Sequence, residues 1–109
     1  MARVAQLCYN SLVGRVVFTA DALRQFKKLP KAVRPFLKEA IRTHLMEGDP
    51  TEPARNQFRL RRSSPFADYE LRAGDWRVFY RVEQDEVVVT LIGRKRGSIL
   101  IVEGEELHL

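Results

Sequence analysis

The sequence predicts an α+β domain in which two helices precede a run of antiparallel strands. Apolar residues recur at helical spacing in two stretches between Ala20 and Met46. From Tyr69 to Arg96 the chain alternates apolar and polar residues instead, and it contains two turn sequences, Gly74-Asp75 and Gln84-Asp85. These patterns predict an N-terminal strand, two helices and a three- to four-stranded antiparallel sheet, with both helices packed on one face of the sheet.

The whole chain, residues 1–109, is the length of a single domain, and we leave residues 1–13 as either an extra edge strand or an N-terminal extension. The single cysteine, Cys8, cannot close an intrachain disulfide, which favours a reducing compartment. No apolar run is long enough to span a membrane, so we expect a cytoplasmic protein that does not bind membranes. The formal net charge of +5 permits an anionic partner such as nucleic acid.

The N-terminal half contains a short strand followed by the two helices. Arg15–Phe18 has the β-branched and aromatic content of a strand, and Thr19 is suited to cap a helix that begins at Ala20. The second helix is predicted from Lys31 to Met46. Pro35 falls in its first turns, which predicts either a local kink or a delayed start.

The turn Gly74-Asp75 fixes the register of the first hairpin. A glycine in the first loop position suits a two-residue type II′ turn, whose twist matches that of the two strands. This register places Leu71 opposite Val78 on an apolar face, and Arg72 opposite Arg77 on the other.

A second hairpin is predicted around Gln84-Asp85. Its weak point is the like-charge pair of Glu83 and Glu86, which leaves the loop either at two residues or opened to four. The register predicts six further pairs: Val82 with Val87, Arg81 with Val88, Tyr80 with Val89, Phe79 with Thr90, Val78 with Leu91, and Arg77 with Ile92.

The remaining segments are less regular. Residues 51–66 are predicted to be mostly loop, with a short extended piece from Phe58 to Leu60. Ile99–Val102 reads as a last short strand, and Glu103–Glu106 reads as an acidic tail.

Three sequence features together resemble the RelE/ParE superfamily of bacterial toxins. They are Leu29-Pro30 between the helices, the string Tyr69-x-Leu71-Arg72-x-Gly74-Asp75-Trp76-Arg77-Val78-Phe79-Tyr80, and the segment from Val87 to Arg96. The resemblance covers about Val16 to Leu109, and the tail after Arg96 looks like the branch of RelE-like, or cytotoxic translational repressor, proteins.

The resemblance implies a toxin of a type II toxin–antitoxin system, with a cognate antitoxin protein as partner. In the RelE branch the toxin enters the ribosome and cuts mRNA, which would make this chain a metal-independent mRNA interferase that inhibits translation and needs no cofactor. In the ParE branch the toxin instead inhibits DNA gyrase without catalysis. A third reading is a catalytically degenerate fold that serves as an antitoxin-binding module. The sequence leaves open whether the chain forms a homodimer.

Cleavage of RNA by its own 2′-hydroxyl needs a base, an acid, and cations on the scissile phosphate. Arg72, Arg77 and Arg81 supply cations on one side of the predicted sheet, with Lys95 and Arg96 at the end of the adjacent strand. By the resemblance, Arg77 corresponds to the arginine that grips the phosphate and Arg72 to one of two strand lysines. Lys95 or Arg96 corresponds to a later arginine.

Two residues are candidates for the acid and the base. Glu70 stands at the position of the second strand lysine, and it either serves as a base or forms a salt bridge with a neighbouring arginine. His108 offers an imidazole that titrates near neutral pH, although a residue so close to the chain end is commonly frayed. The C-terminal tyrosine of RelE has no counterpart near Leu100 and Ile101.

Further cations either follow an RNA backbone or simply keep the surface soluble. Lys31 and Lys38 belong to a basic line along the second helix. The others lie in the loop that precedes the hairpins: Arg59, Arg61 and Arg62.

Overall fold

The computed structural model describes residues 8–10, 15–46, 50–51, 57–60, 67–84 and 86–108. The helices in these ranges are α1 (Ala20–Lys27) and α2 (Val33–Ile41), and a π-helical turn over Arg42–Met46 continues α2. The strands are β1 (Cys8–Asn10), β2 (Arg15–Phe18), β3 (Gln57–Arg59), β4 (Tyr69–Ala73), β5 (Trp76–Glu83), β6 (Glu86–Arg96), β7 (Ile99–Val102) and β8 (Glu105–His108).

The strands form one mixed sheet, which confirms the α+β class. Its order is β1-β2-β6-β5-β4-β3, and β7 joins β6 beyond the end of β2 and pairs with β8. The sheet has more strands than predicted. Cys8–Asn10 forms an edge strand, while Glu105 begins β8, so the expected acidic tail is a turn followed by a strand. No helix in the described ranges is long and apolar enough to cross a membrane.

The pairing of β2 with β6 is parallel, whereas the other strand pairs are antiparallel. A parallel pair needs a long crossover, which here contains both helices. The ladder continues one step past β2, because the Thr19 amide donates to the Val89 carbonyl at 3.0 Å. The same residue caps α1 as predicted, since its hydroxyl accepts from the Ala22 amide at 3.2 Å.

Helix α2 begins two residues later than the predicted start at Lys31. The Pro30 carbonyl accepts from the amides of Val33 and Arg34, at 2.9 and 3.2 Å, and this forms the entry turn. Pro35 is the third residue of the helix, where an amide would have no intrahelical partner in any case. Of the two predicted outcomes, the structure therefore shows the delayed start.

The first hairpin has the predicted register, including Leu71 opposite Val78 and Arg72 opposite Arg77. Gly74 has a φ of +61°, as the first position of a type II′ turn requires. The second hairpin keeps its two-residue loop, with Glu83 opposite Glu86.

A β-bulge in β6 changes the register beyond the second hairpin. Tyr80 pairs with Val89 as predicted, but the register shifts between Tyr80 and Phe79 because Thr90 is an extra residue on β6. The predicted pairs Val78–Leu91, Phe79–Thr90 and Arg77–Ile92 are therefore wrong. The structure pairs Phe79 with Leu91, Val78 with Ile92, and Arg77 with Gly93.

The bulge exchanges the faces of Leu91 and Ile92, and the two faces of the sheet carry two different cores. The main core lies between the helices and the sheet and includes Leu37, Ile41, Val78 and Ile92. A second core on the opposite face of the sheet contains Ala67, Phe79, Leu100 and Val102, with Leu60 and Leu91 packed against it. Leu91 and Ile92 thus occupy the opposite faces to those predicted.

Gly93 allows β7 to pack closely against β6. A Cβ atom at this position would lie 2.9 Å from the Ile101 carbonyl oxygen and 2.9 Å from side-chain atoms of Leu100 and Val102. Real Cβ atoms essentially never come so close, and the backbone oxygen cannot rotate away as a side chain can. The close contact of β7 with β6 therefore requires glycine at this position.

We predict that Gly93→Ala lowers the free energy of unfolding by about 1–3 kcal/mol, the usual range for an overpacked core. Urea unfolding followed by circular dichroism measures this. Ser98→Ala, an exposed residue of the β6–β7 turn, is the control and should leave the midpoint unchanged. A Gly93→Ala protein with the wild-type midpoint would contradict the close packing of β7.

Candidate functional site

Arg72 and Arg77 face each other across β4 and β5, and Glu70 lies between them. The Glu70 carboxylate is 3.0 Å from Arg72 Nε through one oxygen and 3.9 Å from Arg77 Nε through the other. Its side chain is only 9% exposed. Glu70 thus offsets the repulsion between two like charges in directly opposed positions, and it forms the salt bridge that was one of its two predicted roles.

The guanidinium of Arg77 points toward the hairpin turn. One terminal nitrogen donates to the Gly74 carbonyl at 2.8 Å and to the Trp76 carbonyl at 3.0 Å. The side chain is 14% exposed, against 46% for Arg72. Arg77 therefore holds the turn, and Arg72 is the more accessible cation of the pair.

Lys95 lies near this cluster, whereas Arg81 and Arg96 do not. Lys95 pairs with Leu100 of the second core and its amide donates to the Asp75 carbonyl at 2.7 Å, so it shares the face and the end of the sheet with Arg77. Arg81 is four residues further along β5, beside Glu83 with Nε to Oε2 at 3.0 Å. Arg96 follows Lys95 and so alternates to the other face.

The remaining predicted residues are dispersed. Lys31 and Lys38 are exposed near or on α2, which packs on the opposite face of the sheet from the arginine cluster. The backbone of His108 pairs with Ile99 in the β7–β8 hairpin, and the backbone of Arg59 pairs with Tyr69. Arg61 and Arg62 lie outside the described residues.

A pocket of about 370 Å³ opens on the helix side of the sheet, between the C-terminal end of α1 and the strands β5, β6 and β7. Gln25 lines it and is itself buried, and its side-chain oxygen accepts from the Ile92 amide at 2.8 Å. This amide belongs to the part of β6 that lies between its pairing with β2 and its pairing with β7. Gln25 was not among the residues predicted from the sequence, although a glutamine beside the apolar stripe of α1 was a signal.

Trp76 and Arg94 form one wall of this pocket. The Arg94 guanidinium lies 5.9 Å from the centre of the Trp76 ring, within the range of a cation–π contact. It is 58% exposed and 3.7 Å from the carboxylate of Asp75. The wall therefore combines an aromatic surface with an accessible positive charge.

Glu103 connects the β7–β8 turn to α1 at the rim of the pocket. Its two carboxylate oxygens accept from Arg24 at 3.1 and 3.1 Å, and Lys28 Nζ is 3.1 Å from one of them. These hydrogen bonds, first that from Arg24 and then that from Lys28, lower the pKa of Glu103 to about 2. The pKa of Arg24 is raised correspondingly, by Glu103 first and then by Asp21.

The backbone of Glu103 is unusual as well, because it has a φ of +53°. Side-chain-bearing residues rarely adopt this left-handed conformation. The next residue, Gly104, also has a positive φ, of +83°, as in the turns that join tight hairpins. A glutamate therefore occupies a position that favours glycine or asparagine. Its contacts with Arg24 and Lys28 explain why a glutamate is found there.

Comparison with known proteins adds one finding. Residues 16–98 match the family described as "ParE toxin of type II toxin-antitoxin system, parDE". The matched range begins at the second residue of β2, extends past the end of β6, and includes both helices and the arginine–glutamate cluster. No curated protein and no solved structure gives a significant match.

We predict that Arg77→Ala lowers the free energy of unfolding by about 1–3 kcal/mol, because it removes two hydrogen bonds to the turn and an ion-pair partner of a buried carboxylate. Arg72→Ala is the matched control: it also removes an ion-pair partner of Glu70, but it should cost less because the side chain is about half exposed whereas that of Arg77 is 14% exposed. Chemical denaturation of both variants gives the comparison. Equal losses would mean that Arg77 does not hold the turn.

The lowered pKa of Glu103 predicts that the stability of the folded protein depends on pH. Its pKa of about 2 lies below the usual 4.5, so its contribution is complete above about pH 4.5 and is lost as the pH falls toward 2. Glu103→Gln should therefore have a lower thermal midpoint than wild type at pH 6, and this difference should become smaller at pH 2.5. A constant difference across that range would show that the carboxylate does not hold α1.

Proposed function

The chain belongs to the ParE toxin family of type II toxin–antitoxin systems, and from this premise we propose that it acts by binding, as a ParE-like inhibitor of DNA gyrase. A toxin of this kind has a cognate antitoxin as its partner. The observation that supports a binding mode is the internal engagement of the arginine–glutamate cluster: Arg77 donates to the hairpin turn, while Glu70 pairs with two arginines.

A catalytic use of the cluster would require its present contacts to change. A base must reach the 2′-hydroxyl of the RNA directly or through one water, whereas the Glu70 side chain is 9% exposed and both of its oxygens lie near guanidinium groups. A phosphate grip by Arg77 would replace hydrogen bonds to the Gly74 and Trp76 carbonyls. The contacts present in the structure therefore favour stabilisation of the hairpin.

Ribosome-dependent mRNA cleavage is the second candidate function. The exposed guanidinium of Arg72 favours it, because this group stands next to a carboxylate and on the same face as Lys95. Cations in this arrangement suit a phosphate, and RNA would then enter from the side of the sheet opposite the helices. The two candidates make different demands on Arg72, which is essential for cleavage and dispensable for a binding mode that does not use this face.

We expect the purified protein to inhibit supercoiling of relaxed plasmid by DNA gyrase, and we expect Arg72→Ala to inhibit equally well. In a reconstituted translation reaction, the same preparations should leave the mRNA intact when its 5′ ends are mapped by primer extension. The physical reason is that the Arg72 side chain is about half exposed, so its truncation should leave the fold intact, and a binding mode that does not use this face does not need its charge.

The opposite pattern would overturn the gyrase proposal: intact supercoiling activity, cuts within translated codons, and loss of those cuts in Arg72→Ala and Glu70→Gln. Inactivity of the folded protein in both assays, together with tight antitoxin binding, would leave the third reading, a toxin fold that serves as an antitoxin-binding module.

A further inference from the structure

We propose that the pocket between α1 and the sheet is a docking site for the cognate antitoxin, and that it receives an apolar side chain flanked by a carboxylate. The proposal rests on the assignment of the chain as a toxin of a type II system, but not on the gyrase mechanism. It concerns the helix side of the sheet, opposite the arginine–glutamate cluster.

The pocket has an apolar interior. Leu29 and Trp76 pack against the main core but remain partly exposed, and both line the pocket together with Ile92. Its volume of about 370 Å³ lies at the small end of the range of about 300–1,000 Å³ typical of ligand pockets. A space of this size and lining suits one or two apolar side chains of a peptide segment.

The rim of the pocket selects an acidic segment. Lys28 and Arg94 have side chains that are 62% and 58% exposed, and Glu103 is the one carboxylate among the described lining residues. Two cations and one anion leave a lining charge of +1. Residues outside the lining offset these charges on both sides: Glu103 pairs with Arg24, and Arg94 lies 3.7 Å from Asp75. That separation is longer than a hydrogen bond and the Arg94 guanidinium is exposed, so it can bind a second carboxylate. A carboxylate of the antitoxin would pair with Arg94 beside the Trp76 ring.

The same features disfavour a nucleic acid as occupant. A phosphate backbone tracks a continuous cationic groove, whereas this pocket is concave, apolar at its base and bordered by the carboxylate of Glu103. Apolar anchors in pockets with charged residues at the rim are typical of protein–protein contacts. A protein segment therefore fits the site better than RNA or DNA.

Trp76 provides a direct readout because it is the only tryptophan in the chain. The full-length toxin, produced with 5-fluorotryptophan, gives one ¹⁹F resonance. We expect this resonance to shift when the unlabelled antitoxin, taken as the protein encoded in the same operon, is added to saturation. An unchanged resonance at saturation would overturn the proposal, and so would a failure of the two proteins to bind.

Charge reversal tests the rim. We expect Arg94→Glu to weaken antitoxin binding by at least about tenfold, which corresponds to about 1.4 kcal/mol, and the loss should shrink as salt rises. Lys27→Glu is the matched control, because it makes the same change in net charge at an exposed residue that does not line the pocket. Equal losses in the two variants would overturn the site.

A variant of the pocket interior tests whether apolar contacts contribute to antitoxin binding in addition to charge. Leu29→Ala should also weaken binding, and this loss should not depend on salt; circular dichroism and the ¹⁹F spectrum report whether each variant is folded. If DNA gyrase shifts the Trp76 resonance and the antitoxin does not, the pocket belongs to the target and the proposal fails. If the antitoxin shifts it and gyrase is not inhibited, the proposal stands and the gyrase mechanism fails.

Discussion

The one-residue bulge at Thr90 is the constraint on which the rest of this structure depends. From Glu86 to Val89 the side chains of β6 alternate between the two faces without interruption. Beyond Thr90, each side chain lies on the face opposite to the one that uninterrupted alternation would give it. Ile92 consequently enters the main core, while Leu91 turns to the second core on the opposite face. The bulge also places Gly93 opposite Arg77, where β7 can pack closely against the strand. The inserted residue thus decides on which face of the sheet the side chains of β6 beyond Thr90 lie.

The arginine–glutamate cluster illustrates how a buried carboxylate changes the meaning of two opposed arginines. Like charges directly opposite each other destabilise an isolated hairpin, and from the sequence this cost favoured a functional role for Arg72 and Arg77. In the structure Glu70 stands between them, and Arg77 also contacts the turn carbonyls. These contacts explain how the two opposed arginines are accommodated in the sheet, and an effector role for the cluster has to be argued separately.

The helix side of the sheet is organised by contacts between residues that are distant in sequence. Gln25 of α1 accepts a hydrogen bond from the Ile92 amide, on the edge of β6 between its pairing with β2 and its pairing with β7. Glu103 binds Arg24 of α1 and Lys28, which follows it. These contacts fix the end of α1 relative to β6 and to the β7–β8 turn, and the pocket forms in the space between them. The two faces of the sheet thus differ in chemistry: one carries the arginine–glutamate cluster, and the other an apolar pocket with a charged rim.

The sequence by itself determined the cap at Thr19, the turn at Gly74 and the α+β class, and it left the start of α2 between two alternatives. Each follows from a few neighbouring residues whose backbone preferences do not depend on the rest of the chain. The arginine face was also predicted, because Arg72 and Arg77 lie on β4 and β5, whose register is set by the first hairpin and does not involve the bulged strand β6. Only the tertiary structure decided the faces of Leu91 and Ile92, the double pairing of Glu70 and the position of the pocket. A bulge and a buried ion pair are selected by packing on both sides of the sheet, and alternation along one strand carries no information about that packing.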